Sequence, residues 1–235
     1  MRSLIGFLVF TTALIALLAF AAVPMFVRPV VVQAVRDASP FGDQPLTIDV
    51  DVNALGLVLG RIERIHVTGA DLDANGPTIG ALDVTVEGAS TTDRSFTGID
   101  GAFSSVVLQS FDGTPVTIDS IDLSGESGAV EAVAHLDDRA GLALVGSAFA
   151  DAGVPVEGLE LADGGVAITF LGQRAQLALG VDQGALVLPD VLGTGPLTLL
   201  EPGIDDPWRL TGVTVTPTGM TILARIDADG LLASS

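Results

Sequence analysis

His66 and His135 are the only imidazoles in a chain of 235 residues that carries 29 carboxylates and ten arginines but neither lysine nor cysteine. An imidazole set between a carboxylate and a hydroxyl is the usual equipment for general-base or nucleophilic catalysis. Neither histidine stands in an H-E-x-x-H pattern, and Gly125-Glu-Ser-Gly128 resembles a nucleophile elbow only superficially. His66 lies in the alternating run Ile65-His-Val67 and His135 near a strand end, so a solvent-facing strand histidine is the expected state of each. The missing lysine removes a P-loop lysine, a Schiff base and a Ser-Lys dyad. The missing cysteine removes a thiol nucleophile, a Cys zinc site, an iron–sulfur cluster and a lipidated N-terminal cysteine.

The carboxylates offer more, yet without a selecting pattern. Asp71-Leu-Asp-Ala-Asn-Gly76 copies the first half of a calcium loop, but position 12 is Leu82 and the bidentate carboxylate is missing. Asn75-Gly76 between alternating runs reads better as a tight hairpin turn. Asp227-Ala-Asp-Gly230 is shorter still, and Gly193-Thr-Gly195 lacks the third glycine of a dinucleotide loop. Carboxylate pairs suited to glycoside cleavage exist in number, but nothing singles one out. No catalytic residue, metal ligand or cofactor is expected. A carboxylate-dependent hydrolase is the only enzyme reading left.

The elements that would position any such group are mostly strands. Leu46-Thr-Ile-Asp-Val-Asp-Val52 alternates apolar and polar, and the pattern returns at Leu82–Val86, Val116–Ile118, Val166–Phe170, Leu177–Val181, Val213–Val215 and Met220–Ile222. Turn signals separate them: Asn75-Gly76, Asp112-Gly113, Asp163-Gly164-Gly165, Gln183-Gly184 and Thr218-Gly219, with glycine supplying positive φ. One stretch, Asp137 to Asp151, changes period: Leu142, Val145 and Phe149 fall at i, i+3 and i+7, with acids at its start and Gly153 at its end. A second helix is expected over Ala102 to Phe111. The fold class is therefore mainly β, an antiparallel sheet with one or two helices.

Leu4 to Val27 runs 24 residues without a charge and ends at Arg28. As a helix it is about 36 Å long, enough for a hydrocarbon core of about 30 Å. Residues 1–36 are expected to be an N-terminal signal-anchor and juxtamembrane linker, and 37–235 a single domain. Ala19-Phe20-Ala21 has the form of a signal-peptidase site, so secretion after cleavage near Ala21 is the alternative. Arg2 on one side and Arg28 and Arg36 on the other leave the charge bias that orients membrane helices nearly balanced. Beyond residue 36 the chain has seven arginines against 29 acids, a charge of −22. Nucleic acid is thereby a poor partner, as is broad adhesion to an anionic bilayer.

What remains is apolar surface on one face of nearly every strand. Either it closes into an ordinary core, or a curved sheet around the helix leaves part of it open as a groove for acyl chains. Leu57-Val-Leu-Gly-Arg-Ile-Glu-Arg-Ile-His-Val-Thr-Gly-Ala-Asp-Leu72 resembles the opening strand of the LmeA-like phospholipid-binding family of actinobacterial cell-envelope proteins. Gly80–Gly88, the helix from Asp138 with Val154–Phe170, and Arg209–Met220 are similar to later segments of that family, in the same order. The resemblance implies a tubular lipid-binding-like fold, a bent antiparallel sheet wrapped around a helix. It also implies a non-enzymatic, extracytoplasmic role in binding or transferring phospholipid or lipid-linked glycan at the cytoplasmic membrane. On that reading Leu142, Val145, Phe149, Val166, Ile168 and Phe170 line the groove, and an arginine meets the headgroup. The alternative is a structural or adaptor domain of the envelope with a closed core and no ligand.

Overall fold

The computed structural model describes residues 44–52, 59–73, 77–90, 92–109, 115–189, 195–203 and 206–228, together with Gln33, Phe41 and Gly56. The expected anchor, the Ala21 cleavage site and the Asn75-Gly76 and Asp112-Gly113 turns lie outside these residues. Among the described residues no helix is long and apolar enough to cross a membrane.

The main body is an eight-stranded, curved antiparallel sheet. It contains β1 (Leu46–Asp51), β2 (Arg61–Asp73), β3 (Thr78–Ser90), β4 (Gly98–Gln109), β5 (Pro115–Glu126), β6 (Ala129–Asp137), β13 (Trp208–Thr216) and β14 (Gly219–Ile226), in the order β1-β2-β3-β4-β5-β6-β14-β13. Helix α1 (Asp138–Asp151) follows β6 without a loop. Two three-stranded sheets come next: β7 (Gly158–Ala162), β8 (Gly165–Phe170) and β9 (Gln173–Ala178), then β10 (Gly180–Asp182), β11 (Ala185–Leu188) and β12 (Leu197–Leu200). Both dock on β13 through their turns: Gly164 N–H donates to the Val215 carbonyl at 3.0 Å, and Leu210 N–H to the Gly184 carbonyl at 3.1 Å.

The helix forms where its period indicated. The Asp137 carboxylate caps it by accepting from Ala140 N–H at 2.7 Å, and Gly153 at φ 67 lets the chain turn away. Its buried face, Ala140, Gly141, Val145, Ala148 and Phe149, packs against β5, β6 and β14 of the large sheet and against β7 and β12. A Cβ on Gly141 would stand 3.1 Å from Leu161, so glycine there allows the close approach to β7.

The second expected helix is absent, because Ala102 to Gln109 belongs to β4. The reason is a crease. Ser105, in β4, has φ 52, and by register it stands level with Gly80 of β3, Asp71 of β2 (φ 52) and Asp119 of β5. Across this line the inward residues step by three instead of two: Ile79 then Leu82, Phe103 then Val106, Ile118 then Ile121. The three-residue step imitates a helical period in the sequence. In the sheet it marks the fold line. A Cβ on Gly80 would lie 2.8 Å from Ser105 Cβ, so only glycine fits the middle of the crease.

Two smaller expectations also change. Leu177–Val181 is not one strand but divides at Leu179 between β9 and β10. The β13–β14 loop is Pro217-Thr218, and Gly219 already pairs with Asp137; glycine is needed there because a Cβ would meet the Leu136 carbonyl at 2.4 Å, not for positive φ.

Candidate functional site

The six residues expected to line a groove divide. Val145, Phe149, Val166 and Ile168 are each 0 % exposed and belong to one continuous core, and Leu142 packs half-buried against it. Phe170 is half-buried at the end of β8. The helix and β8 face a common interior, where among the described residues Val145, Phe149, Val166 and Ile168 keep no exposed surface.

An opening exists beside it. Pro115, Val116 and Thr117 at the start of β5 face Asp137, Arg139, Ala140 and Ala143 at the start of α1 across a cleft of 290 Å³. Its floor is set by small side chains: alanine at 140 and 143, one helical turn apart, leaves room where Leu or Phe would close it. The Asp137 carboxylate is engaged with Ala140 N–H, and Asp138 accepts from Arg139 N–H at 2.9 Å. Arg139 is exposed and, among the described residues, its guanidinium is in no ion pair, whereas Arg64 pairs with Asp51 and Arg174 with Glu160. A cation in the first turn also opposes the helix dipole, so local electrostatics do not favour it there.

The histidines lie on the opposite, solvent-facing side of the sheet. His66 Nε2 is 2.9 Å from Asp83 Oδ1. His135 Nε2 is 3.5 Å from Asp122 Oδ2, and its Nδ1 is 3.2 Å from Thr221 Oγ1. Carboxylate, imidazole and hydroxyl thus stand in the order of a catalytic relay. They do so on strand positions outside the 290 Å³ cleft, where the side chains of His135 and Asp122 are 44 % and 54 % exposed to water. Among the described residues no three His, Asp or Glu side chains are placed to hold a metal ion, and Asp71 and Asp73 of the calcium-like segment belong to β2, with Asp73 paired to Thr78.

Sequence reasoning missed the cleft. The helix start and the Val116 strand were each legible, but their contact follows from the β5–β6 register, Ser120 opposite His135, which carries Pro115–Thr117 alongside the first turn of α1. Nothing local announces that pairing. No family model, no curated protein and no solved structure matches this chain.

Proposed function

We propose that the protein is a membrane-anchored, extracytoplasmic lipid-binding protein without enzymatic activity, which takes one acyl chain of a phospholipid or lipid-linked glycan into the cleft between β5 and α1. The observation that carries this reading is the cleft itself, with the exposed Arg139 guanidinium, in no ion pair among the described residues, at its rim. The sequence resemblance to the LmeA-like family supports it independently. The proposed binding position lies at the start of α1 and β5, beside the groove expected between the helix and β8. Small-molecule pockets span about 300–1,000 Å³, so 290 Å³ suits one chain segment and not two full chains.

Energetics assign the two halves of the ligand different parts. A volume of 290 Å³ holds about ten methylene-sized groups if each occupies about 30 Å³, as a water does. At about 0.8 kcal/mol per methylene, that burial is worth at most about 8 kcal/mol against water. Against a bilayer it is worth almost nothing, because the chain leaves one apolar medium for another. Discrimination therefore rests on the headgroup, where a charge-assisted hydrogen bond from Arg139 to a phosphate contributes about 1.5–3 kcal/mol.

The full chain in phosphatidylcholine–phosphatidylglycerol vesicles containing a phospholipid with a photoreactive acyl chain tests the reading. Crosslinks are expected on the peptides holding Val116 and Ala143. Their absence, or uniform labelling of the whole surface, refutes it. A second reading, a structural domain that binds a partner protein and no lipid, is favoured by the complete burial of Val145, Phe149, Val166 and Ile168. It would be supported by a fully blank crosslinking result on a folded protein.

A further inference from the structure

Asp73, Thr78, Val107 and Thr117 form one cross-strand row: Asp73 pairs with Thr78, Thr78 with Val107, and Val107 with Thr117. Thr117 lines the cleft. At the other end of the row the polypeptide arriving from the N-terminus is fastened to the sheet. Gln44 Nε2 donates to the Asp73 carbonyl at 2.8 Å, and Gln44 Oε1 accepts from Asp73 N–H at 2.7 Å. Phe41, 2 % exposed, is packed into the core just before it, and Gln44 N–H donates to its carbonyl at 3.2 Å. The amide of Gln44 satisfies both backbone groups of Asp73, as a neighbouring strand would. The clamp and the cleft are three strand spacings apart, about 14 Å along the sheet.

From this we infer that the end of the sheet bearing the cleft faces the bilayer that holds the anchor, so that the Gln44–Asp73 clamp orients the cleft toward its source of lipid. The inference rests on the anchored, lipid-binding reading above. Val27, the last residue of the apolar run, is 14 peptide steps before Phe41. Fully extended, those steps reach about 46–50 Å. The 13 residues of β2 or β3 span about 43 Å from one end of the sheet to the other. Presenting the far end to the membrane would require the linker to run the length of the domain almost fully stretched, at a large cost in chain entropy. With the clamp end down, the linker needs only a fraction of its reach. Among the described residues this end is acidic, with Asp73, Asp137 and Asp138 against Arg139, so it does not adhere to an anionic leaflet by charge. The tether supplies the local concentration instead, of millimolar order for short linkers.

The chain has no cysteine, so a single introduced one is its only thiol label. Thr78 and Glu87 are both exposed on β3, nine residues and about 30 Å apart, Thr78 on the cleft-end row and Glu87 toward the other end. Thr78→Cys and Glu87→Cys full-length proteins carrying a fluorophore are placed in phosphatidylcholine–phosphatidylglycerol vesicles with a nitroxide on a fraction of the headgroups. The Thr78 label is expected to be quenched several-fold more strongly than the Glu87 label. Equal quenching, or stronger quenching at Glu87, overturns the inference. Gln44→Ala, with the Thr78 label retained, is expected to narrow the difference; an unchanged difference removes the clamp from the explanation. Since quenching needs no bound lipid, failed crosslinking in the cleft would retire the lipid-binding reading and leave the orientation result standing.

Discussion

Replacing Arg139 by Gln separates a binding role from a structural one because the two predict opposite signs. Arg139 is the second residue of α1, exposed, and without a carboxylate partner among the described residues. A cation near a helix N-terminus is unfavourable by about 0.3–1 kcal/mol at an exposed position. Its removal should therefore stabilise the fold slightly, raising Tm by about 1–4 °C for a domain of this size. The Asp137 cap, which uses Ala140 N–H, is untouched. If the guanidinium holds a phosphate, the same change costs about 1.5–3 kcal/mol of binding, a loss of about 10- to 150-fold in lipid retention. Differential scanning fluorimetry reads the first effect and photo-crosslinking yield at fixed lipid density the second. Retention unchanged within twofold would refute the headgroup assignment. A Tm falling by several degrees would show that Arg139 serves the fold after all.

Three further outcomes follow from the geometry. Ala143→Phe should fill the cleft from the helix side and abolish acyl crosslinking at Val116, while circular dichroism and Tm stay near the parent values; crosslinking that persists would place the ligand elsewhere. Gly80→Ala, whose Cβ would stand 2.8 Å from Ser105 Cβ, should cost about 1–3 kcal/mol by urea unfolding, and a neutral result would mean that the crease yields easily. Leu171, 77 % exposed at φ 49 in the two-residue β8–β9 turn, sits where Asn is favoured; Leu171→Asn should leave stability unchanged or raise it by a few tenths of a kcal/mol, and a clear loss would reveal a packing role.

What could be read in the sequence was whatever a short window decides. The helix over Asp137–Asp151 carried its cap, its period and its stop within 17 residues, and the structure reproduces all three. β1 and β14 were visible because a half-buried strand alternates along its own length; β8 alternates in residue type only, since Gly165–Ile168 are buried on both faces of the strand. β4 was misread because its phase changes at Ser105, and a serine at positive φ leaves no signature of its own; the glycine that makes room for it is on the neighbouring strand. The cleft was invisible for a related reason. Arg139 and Ala143 were in view as helix residues, but Pro115–Thr117 reach them only through a β5–β6 pairing some 15 residues apart in sequence.

The full burial of Val145, Phe149, Val166 and Ile168 and the small size of the cleft together constrain how a lipid-binding domain of this kind would work. A protein that carries a whole two-chain lipid through water must shield both chains, and 290 Å³ shields about half of one. A tethered protein has no such need. With the cleft turned toward the leaflet, one chain can enter while the other stays in the hydrocarbon, so neither is exposed to water at any stage. On the proposed reading the energy difference between the two positions of that chain is small, and a hydrogen bond from Arg139 to a phosphate, worth about 1.5–3 kcal/mol, would be enough to bias it. On this reading the anchor and the modest size of the cleft are one design: cutting the chain near Ala21 should weaken lipid capture far more than it would for a protein with a deep groove.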